Sequence, residues 1–398
     1  ITDSDDPMLN TPFPPWPSFS EEEIDAVSRV LRSGRVNAWT GEECRTFERE
    51  FADWVGTRHA IALANGTVAL DIVWQVLGIG QGDEVITTPR TFQASAASIA
   101  MSGARPVFAD VDRQTQNITP ATVAPLITPR TRAILCVHLA GWPCDMHGFR
   151  ELADAHGLKI VEDCAQAHGA RLNERSVGSY GDIAAWSFCQ DKIMTTGGEG
   201  GMLTLDDDAL WKAAWSFKDH GKSWEAVYER EHAPGFRWLH ESWGTNARMT
   251  EMQAAIGRIQ IARMSAWHAA RTRNAETLMV AFRTCPTLRI PEVPEAVEHG
   301  WYKFYAFVEP ARLKQEWNRD RIMSAIVTAG VPCYSGSCPE IYREKSFVDA
   351  GFGPQQRLPT AIELGETSLM FLVHPTLAPE HIEKTCAVVR EVMASATA

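Results

Sequence analysis

Short apolar runs alternate with amphipathic stretches through the first half of the chain. Each run is rich in β-forming residues and bounded by turn residues, which predicts strands at 60–63, 84–87, 106–109, 133–137, 159–162, 183–187 and 201–205. Helical periodicity separates most of these runs, at 68–77, 92–102 and 146–156. Strands that alternate with helices predict a mostly parallel, seven-stranded sheet with helices on both faces.

The pattern changes in the second half of the chain. One long apolar periodicity predicts a helix over 250–278 that links two domains. Beyond it we predict strands at 301–308 and 367–373, helices at 320–329 and 379–393, and an irregular stretch at 335–353. These elements predict a smaller C-terminal α/β domain, so the fold class of the whole chain is α/β.

The start of the chain is rich in proline, which predicts an extended arm over 1–20. Ser20 followed by three glutamates is typical of a helix N-terminus, and this helix is expected to end near Gly34. We therefore divide the chain into the arm, a large domain over 21–265 and a small domain over 266–398. A chain of 398 residues is long enough for two such domains.

Polar residues follow three of the predicted strands. Residues 65–67 (Asn-Gly-Thr), Asp163 and Lys192 all lie just beyond a strand end. In open α/β sheets, ligands bind at the carboxyl ends of the strands. These residues are therefore expected to converge on one crevice.

Gly66 and Thr67 lie where a predicted strand turns into a helix. Glycine permits a tight turn, and a helix N-terminus binds anions through its free N–H groups. The two residues are consistent with a phosphate site or with a plain helix cap. Ser187, at the end of another predicted strand, can donate a further hydrogen bond to a phosphate.

Asp163 and Lys192 are the candidates for catalysis. A carboxylate keeps a neighbouring pyridine nitrogen protonated, and a lysine amine bonds covalently to an aldehyde, so the pair matches the chemistry of pyridoxal phosphate. Taken singly, Asp163 can be a capping residue and Lys192 a solvated surface residue. The apolar residues 193–194 and the glycine-rich loop 197–201 place Lys192 between buried segments, which favours the catalytic interpretation.

Three further residues have a structural and a functional interpretation. Phe92 is either a core aromatic residue or a ring stacked on a flat cofactor. Asn246 and Arg248 precede a predicted helix, so they either cap it or reach a phosphate.

Composition narrows the class of protein. The formal net charge of −12 argues against a binder of nucleic acid or of anionic membranes.

The nine cysteines show no metal-ligand spacing, nor do His138, His168, His220 and His374, so no metal is expected. No apolar run reaches the ~18 residues of a membrane span, and the start shows no signal-peptide pattern. With reduced thiols in apolar segments, these features predict a cytoplasmic protein.

Together, these motifs resemble the DegT/DnrJ/EryC1/StrS family of sugar aminotransferases. The resemblance rests on residues 65–67, 162–169 (Glu-Asp-Cys-Ala-Gln-Ala-His-Gly), 187–192, 197–201 and 246–255. It covers nearly the whole chain and implies pyridoxal phosphate fold type I, the fold of aspartate aminotransferase. One departure is the loop 197–201, which has two glycines before its glutamate where many members have one.

The resemblance implies a role for each matching residue near the cofactor ring. Lys192 corresponds to the lysine that bonds covalently to the cofactor, and Asp163 to the acid paired with the pyridinium nitrogen. Gln166 corresponds to the side chain near the ring oxygen, and Phe92 to the ring-stacking position.

The remaining matches concern the phosphate and the assembly. The phosphate ligands implied by the resemblance are Gly66, Thr67 and Ser187. Asn246 and Arg248 lie in the segment that, in this family, reaches the neighbouring subunit's site. A homodimer with two shared active sites is therefore implied.

The implied activity is the transfer of an amino group from glutamate or glutamine to a nucleotide-linked keto-sugar in amino-sugar biosynthesis. A keto-cyclitol is the alternative acceptor. The donor converts the cofactor to pyridoxamine phosphate, and the acceptor then takes the amino group. Alternatives are a pyridoxal-phosphate-dependent dehydratase or lyase and a non-catalytic regulatory protein. Lys192 favours transamination, because family members that act as dehydratases lack this lysine. A nucleotide-binding dehydrogenase ranks lowest, because no Gly-x-Gly-x-x-Gly fingerprint follows the first strand.

The acceptor itself is not specified by any of these motifs. Residues 331–338 are expected to line the substrate side of the site. Trp142, Lys222 and Trp224 are further candidates for contact with the acceptor.

Overall fold

The computed structural model describes residues 12–398. Its α-helices are α1 Glu21–Ser33, α2 Glu43–Val55, α3 Gly66–Leu77, α4 Gln93–Met101, α5 Pro120–Val123, α6 Met146–His156, α7 Asp208–Phe217, α8 Trp224–Tyr228, α9 Glu251–Phe282, α10 Arg319–Thr328, α11 Lys345–Ala350, α12 Pro359–Thr367 and α13 Pro379–Ala396. Its strands are β1 His59–Leu63, β2 Glu84–Thr87, β3 Arg105–Phe108, β4 Thr131–Val137, β5 Lys159–Asp163, β6 Arg171–Leu172, β7 Arg175–Ser176, β8 Ile183–Ser187, β9 Gly201–Leu205, β10 Leu288–Arg289, β11 Val297–Glu298, β12 Phe304–Val308, β13 Cys333–Tyr334 and β14 Ser368–Phe371.

The large sheet has seven strands in the order β1-β9-β8-β5-β4-β2-β3. Strand β9 is antiparallel to both of its neighbours, and all other pairs in this sheet are parallel. The predicted mostly parallel seven-stranded sheet is therefore confirmed. The carboxyl ends of β1, β2, β5 and β8 consequently meet at one edge of the sheet.

A second sheet, in the order β10-β12-β14-β13, forms the small domain, and its pairs are antiparallel. Helix α9 joins the two domain cores. Ala254 and Met264 pack into the core beside the large sheet, whereas Leu278 and Phe282 pack into the core of the small domain. The boundary at residue 265 falls inside this helix and stays a prediction.

Most predicted elements are present, with ends that differ by a few residues. The largest extension is the linking helix, which runs to Phe282 instead of residue 278. The described part of the predicted arm, 12–20, contains neither helix nor strand, and residues 1–11 lie outside the described residues. No helix in the described part of the chain is long and apolar enough to span a membrane.

The prediction of an irregular stretch at 335–353 is wrong at α11. This short helix buries Phe347 against Phe108 of β3 and Tyr342, with a ring-centroid distance of 5.9 Å to Phe108. A tertiary contact therefore stabilises a helix too short to be stable by itself. Helices α2, α5, α7, α8 and α12 were also not predicted.

Candidate active site

A cavity of about 1050 Å³ opens at the carboxyl edge of the large sheet. It brings together seven of the residues selected from the sequence. They are Gly66, Thr67, Phe92, Asp163, Gln166, Ser187 and Lys192. The expected convergence on one crevice is therefore present in the structure.

One end of the cavity is formed by the first turn of α3. The Asn65 side chain caps this helix by accepting the N–H of Val68 at 2.9 Å. The N–H groups of Gly66 and Thr67 have no acceptor within the helix, because they belong to its first turn. A β-carbon on Gly66 would lie 2.7 Å from Cβ of Ser187, so only glycine leaves room there. Free N–H groups beside a hydroxyl suit an anion of phosphate size.

Asp163 is the last residue of β5 and is buried in the wall of the cavity. Its Oδ2 accepts a hydrogen bond from the Ser95 hydroxyl at 2.7 Å, and its Oδ1 accepts the N–H of Ala165 at 3.1 Å. Ser95 also lies 2.9 Å from the Thr91 hydroxyl. These hydrogen bonds fix the orientation of the carboxylate.

Lys192 lies on the turn that follows β8, and its side chain is 14% exposed. Its Nζ is 4.0 Å from Oδ1 of Asp191 and 5.2 Å from the centre of the Tyr302 ring. The Lys192 carbonyl accepts the indole N–H of Trp16 at 2.8 Å, which ties the N-terminal arm to this turn. The amine is therefore held in the cavity wall, with the Asp191 carboxylate 4.0 Å away.

The glycine-rich loop after Lys192 departs from the expected pattern for a geometric reason. Gly198, the second of its glycines, has φ +118°. This conformation strongly favours glycine over residues that carry a β-carbon. The loop then enters β9, so the additional glycine fits the turn between Lys192 and the sheet.

Phe92 and Gln166 face the cavity in different ways. Phe92 is 69% exposed, which excludes its interpretation as a core residue. Gln166 is buried, and its Oε1 accepts the N–H of Ala140 at 2.8 Å. With Oε1 engaged by Ala140, the amide N–H groups are the part of the Gln166 side chain that can donate a hydrogen bond.

Behind Asp163, the fully buried His138 donates a hydrogen bond of 3.0 Å from its Nε2–H to Oε2 of Glu162. Glu162 also accepts three backbone N–H groups, from Gly178, Tyr180 and Gly181, at 2.7–2.8 Å. Burial raises the pKa of Glu162, but the hydrogen bonds from His138 and from the N–H groups of Gly178 and Gly181 hold it below its usual value. This network anchors the strand that carries Asp163.

The same network explains a cluster that resembles a metal site. His138, Glu162 and Cys164 place ligand atoms within 4.8 Å of one another. Nδ1 of His138 accepts the N–H of Cys144 at 3.0 Å, and the oxygens of Glu162 are occupied as described above. The ligand atoms of His138 and Glu162 are thus engaged in hydrogen bonds within the protein.

Asn246 and Arg248 lie outside the cavity of their own chain. Arg248 Nη1 is 2.6 Å from Oδ1 of Asp219, and the Asn246 backbone forms an isolated bridge to the same residue.

Trp142, Lys222 and Trp224 also lie outside the cavity. Trp142 packs against His299, Lys222 binds Asp219 at 3.1 Å, and Trp224 packs in an aromatic cluster. None of these five residues lines the cavity of its own chain.

Several cavity residues were not selected from the sequence. Ser95 lies in the first turn of α4, the helix that follows β2. Its position beyond the carboxyl end of a strand is the feature by which the sequence could have indicated a cavity residue. Tyr302 and Lys303 come from the small domain and carried no local signal. Within the predicted segment 331–338, the cavity is lined by Tyr334, Gly336, Ser337 and Cys338.

Comparison with known proteins places this geometry among aminotransferases. The model of the DegT/DnrJ/EryC1/StrS aminotransferase family matches residues 17–390. A crystal structure of an aminotransferase from Psychrobacter cryohalolentis is 57% identical, with a TM-score of 0.96 over 97% of this chain and 100% of that one.

Two curated relatives differ in their named substrates. The UDP-N-acetyl-3-dehydro-α-D-glucosamine 3-aminotransferase of Acidithiobacillus ferrooxidans is 34% identical over 94% of each chain. The L-glutamine:2-deoxy-scyllo-inosose aminotransferase of Streptomyces kanamyceticus is 37% identical over 78% of this chain and 74% of its own. This chain is therefore similar both to an enzyme named for a nucleotide sugar and to one named for a cyclitol.

Proposed function

The chain belongs to the DegT/DnrJ/EryC1/StrS aminotransferase family and is a pyridoxal-phosphate-dependent aminotransferase of fold type I, and we propose that it aminates a nucleotide-linked keto-sugar in amino-sugar biosynthesis. The family, fold and cofactor predicted from the sequence are thereby confirmed. The observation that carries the proposal is the single cavity that contains Asp163, Lys192 and the first turn of α3. The cavity holds the functional groups that the cofactor requires: an acid, an amine and an anion site.

We assign the residues around the cofactor ring as follows. When bound, pyridoxal phosphate supplies a ring that accepts electrons from the substrate carbon. Asp163 holds a proton on the pyridine nitrogen, as an opposite charge favours the protonated form. Lys192 would hold the cofactor through Nζ, and its amine would carry the proton to and from the substrate carbon as general acid and base.

The remaining contacts hold the cofactor in place. The N–H groups of Gly66 and Thr67 and the hydroxyl of Ser187 bind its phosphate. Phe92, exposed at the cavity, stacks on one face of the ring. The Gln166 amide donates to the ring oxygen, because its own carbonyl is already bound by Ala140.

The size of the cavity favours a nucleotide-linked acceptor. Sites for small molecules commonly measure about 300–1,000 Å³, and this cavity reaches the upper end of that range. It has room for the cofactor and for an acceptor larger than one ring. A keto-cyclitol is the second candidate, favoured by the similarity to the Streptomyces enzyme.

Glutamate or glutamine is the proposed amino donor, and the proposed assembly is a homodimer with shared sites. Three aromatic side chains that shortly precede Asn246 in the sequence support the homodimer: Phe236, Trp238 and Trp243 are 75%, 78% and 95% exposed. Apolar surface of this extent marks an interface. A second copy would cover it and would bring Asn246 and Arg248 to a cavity.

The proposed compartment is the cytoplasm. All nine cysteines are free, and most are buried. Proteins of oxidising compartments commonly use cysteines in disulfides, whereas reduced thiols persist in the cytosol.

A screen of keto-acceptors tests the proposed acceptor. The purified enzyme, loaded with pyridoxal phosphate, is incubated with glutamate or glutamine and with UDP- and dTDP-linked keto-sugars or free keto-cyclitols. The proposal predicts an aminated product and an equal amount of donor oxo acid with a nucleotide-linked sugar. Amination of cyclitols alone contradicts it. Elimination products without the oxo acid would indicate a dehydratase.

A further inference from the structure

Lys303 is a cavity residue to which the proposed mechanism gives no role. It comes directly before β12, in the small domain, and lines the cavity beside Tyr302. Its Nζ is 4.8 Å from the centre of the Tyr302 ring, and Lys192 Nζ is 5.2 Å from the same ring centre. Two amines from different domains therefore lie next to one aromatic ring.

No anion within the described part of the chain pairs with Lys303, for which neither a hydrogen bond nor an ion pair is found. The carboxylate that acts on Lys303 electrostatically is Asp191, which accepts the hydrogen bond of the Tyr302 hydroxyl and lies 4.0 Å from Lys192. Burial lowers the pKa of Lys303 to about 8, and the charges of Arg271 and Lys192 act in the same direction, against Asp191. An ammonium group removed from water without a carboxylate partner is a costly arrangement.

From this arrangement we infer that Lys303 binds the α-carboxylate of the amino-acid donor. The inference rests on the proposed function and adds the residue that selects the donor. An incoming carboxylate would form a charge-assisted hydrogen bond with the ammonium group and would compensate its burial. Lys303 is therefore a binding residue for the first half-reaction.

Geometry favours the donor over the acceptor as the source of this anion. In an amino acid, the carboxylate is bonded to the same carbon that carries the reacting amino group. That carbon must come next to Lys192, which moves its proton, so its carboxylate must lie close to Lys192 as well. Lys303 lies beside the same ring as Lys192, which places the two amines at most about 10 Å apart, a separation that a donor bound between them can span. The phosphates of a nucleotide sugar are separated from the keto carbon by part of the sugar ring.

The test compares Lys303→Met, which removes the charge, with Lys303→Arg, which keeps it. Lys159→Met is the matched control, because Lys159 is half-exposed at the opposite end of β5 and pairs with Asp182. Each protein is loaded with pyridoxal phosphate. The half-reaction with L-glutamate, L-glutamine or 4-aminobutyrate, which lacks the α-carboxylate, is followed by absorbance. Binding of glutarate and of UDP is measured by calorimetry, without turnover.

In Lys303→Met, half-saturation by L-glutamate is expected to rise about tenfold or more, because a charge-assisted hydrogen bond is lost. Glutarate binding weakens in parallel, the preference for glutamate over 4-aminobutyrate falls, and Lys303→Arg recovers most of the loss. UDP binding and the Lys159→Met control stay at the wild-type values.

Other outcomes distinguish a failure of this inference from a failure of the proposed function. Unchanged half-saturation and glutarate binding in Lys303→Met overturn the inference and leave the proposed function intact. Weaker UDP binding with unchanged donor binding also overturns it, and would assign Lys303 to the acceptor. A wild-type enzyme that reacts with neither donor overturns the proposed donor half-reaction together with this inference.

Discussion

The Ser95 hydroxyl, in the first turn of α4, donates a hydrogen bond of 2.7 Å to Oδ2 of Asp163 at the end of β5. The bond connects two parts of the same sheet edge. Helix α4 follows β2, Asp163 ends β5, and β4 lies between these two strands. It leaves the carboxylate fixed at the cavity wall. The position of the proposed acid thus depends on a residue from a different part of the chain.

Ser95→Ala is expected to weaken binding of pyridoxal phosphate. Loss of a hydrogen bond to a charged group costs about 1.5–3 kcal/mol, so the dissociation constant should rise about tenfold or more. The constant is measured by absorbance titration of the cofactor-free protein. Ser102→Ala, at the far end of the same helix, is the control and should bind as the wild type does. Equal affinities in the two variants would show that Ser95 does not support the site.

Gly66→Ala is expected to impair the phosphate end of the cavity. The added β-carbon would lie 2.7 Å from Cβ of Ser187, so one of the two segments must move. Cofactor affinity should fall more than in Ser187→Ala, which removes only the hydroxyl. In the double variant Gly66→Ala with Ser187→Gly, the closest contact is removed but Cα of residue 187 still lies 3.1 Å from the added carbon, so affinity should recover only part of the way to that of Ser187→Ala. Wild-type affinity in Gly66→Ala would contradict the proposed phosphate site.

Glu162→Gln is expected to destabilise the fold. In glutamine one acceptor oxygen becomes an NH2 group, so buried N–H donors of His138 or of the backbone lose their acceptor, at a cost of about 1–3 kcal/mol each. The free energy of unfolding is measured by denaturant titration at fixed protein concentration. The exposed Glu151→Gln on α6 is the control, with little expected change.

The effect of Glu162→Gln should depend on pH. Because the pKa of Glu162 is lowered in the folded state, its ionised carboxylate contributes stability above its unfolded pKa. That contribution is lost as the pH falls through the lower folded value. The difference between wild type and Glu162→Gln should therefore be largest near neutral pH and shrink in acid. A difference that grows on acidification contradicts the account.

The reaction with glutamate should also depend on pH through Lys303, which is surrounded by Lys192, Arg271, Tyr302 and Asp191. Burial lowers the pKa of Lys303 to about 8, so the free enzyme loses this positive charge as the pH rises through that value. The kcat/KM for glutamate should then fall, because the carboxylate loses its partner. In Lys303→Arg this fall should move to higher pH, since arginine stays charged. An unchanged profile in Lys303→Arg would assign the fall to another group.

Mixed dimers test the shared sites. Lys192→Ala and Asn246→Ala chains are each expected to be inactive, because every site in either homodimer lacks one essential residue. After random reassociation in a symmetric dimer, about a quarter of the sites contain both residues, so a corresponding part of the activity should return. Activity is measured as oxo acid formed from the donor. No recovery in a proven mixed dimer would show that Asn246 acts within its own chain.

Asp163 and Lys192 were predictable from the sequence because each directly follows a strand, and strand ends of a parallel sheet share one edge. Helix α2 was not predicted, but the sequence does indicate it, because Cys44, Phe47, Phe51 and Val55 are spaced along one helical face. The contact between Ser95 and Asp163 was not readable, because 68 positions separate the residues. Neither hydroxyl spacing nor periodicity encodes such a pairing.

The small domain shows a second limit. Tyr302 and Lys303 reach the cavity only because β12 pairs within the small sheet and the domain docks against the large one. The Tyr302 hydroxyl meets Asp191 across 111 positions. No local pattern around Lys303 distinguishes it from a solvated lysine. Its burial and missing partner become visible only in three dimensions.

The visible absorbance spectrum shows whether Lys192 carries the cofactor and takes part in transamination. Wild type loaded with pyridoxal phosphate should show the absorbance of a cofactor bonded to Lys192. Adding glutamate or glutamine should remove that absorbance and release one oxo acid per site. Lys192→Ala should lack the original absorbance and release none. A Lys192→Ala protein with the wild-type spectrum and the same response to the donor would contradict the account.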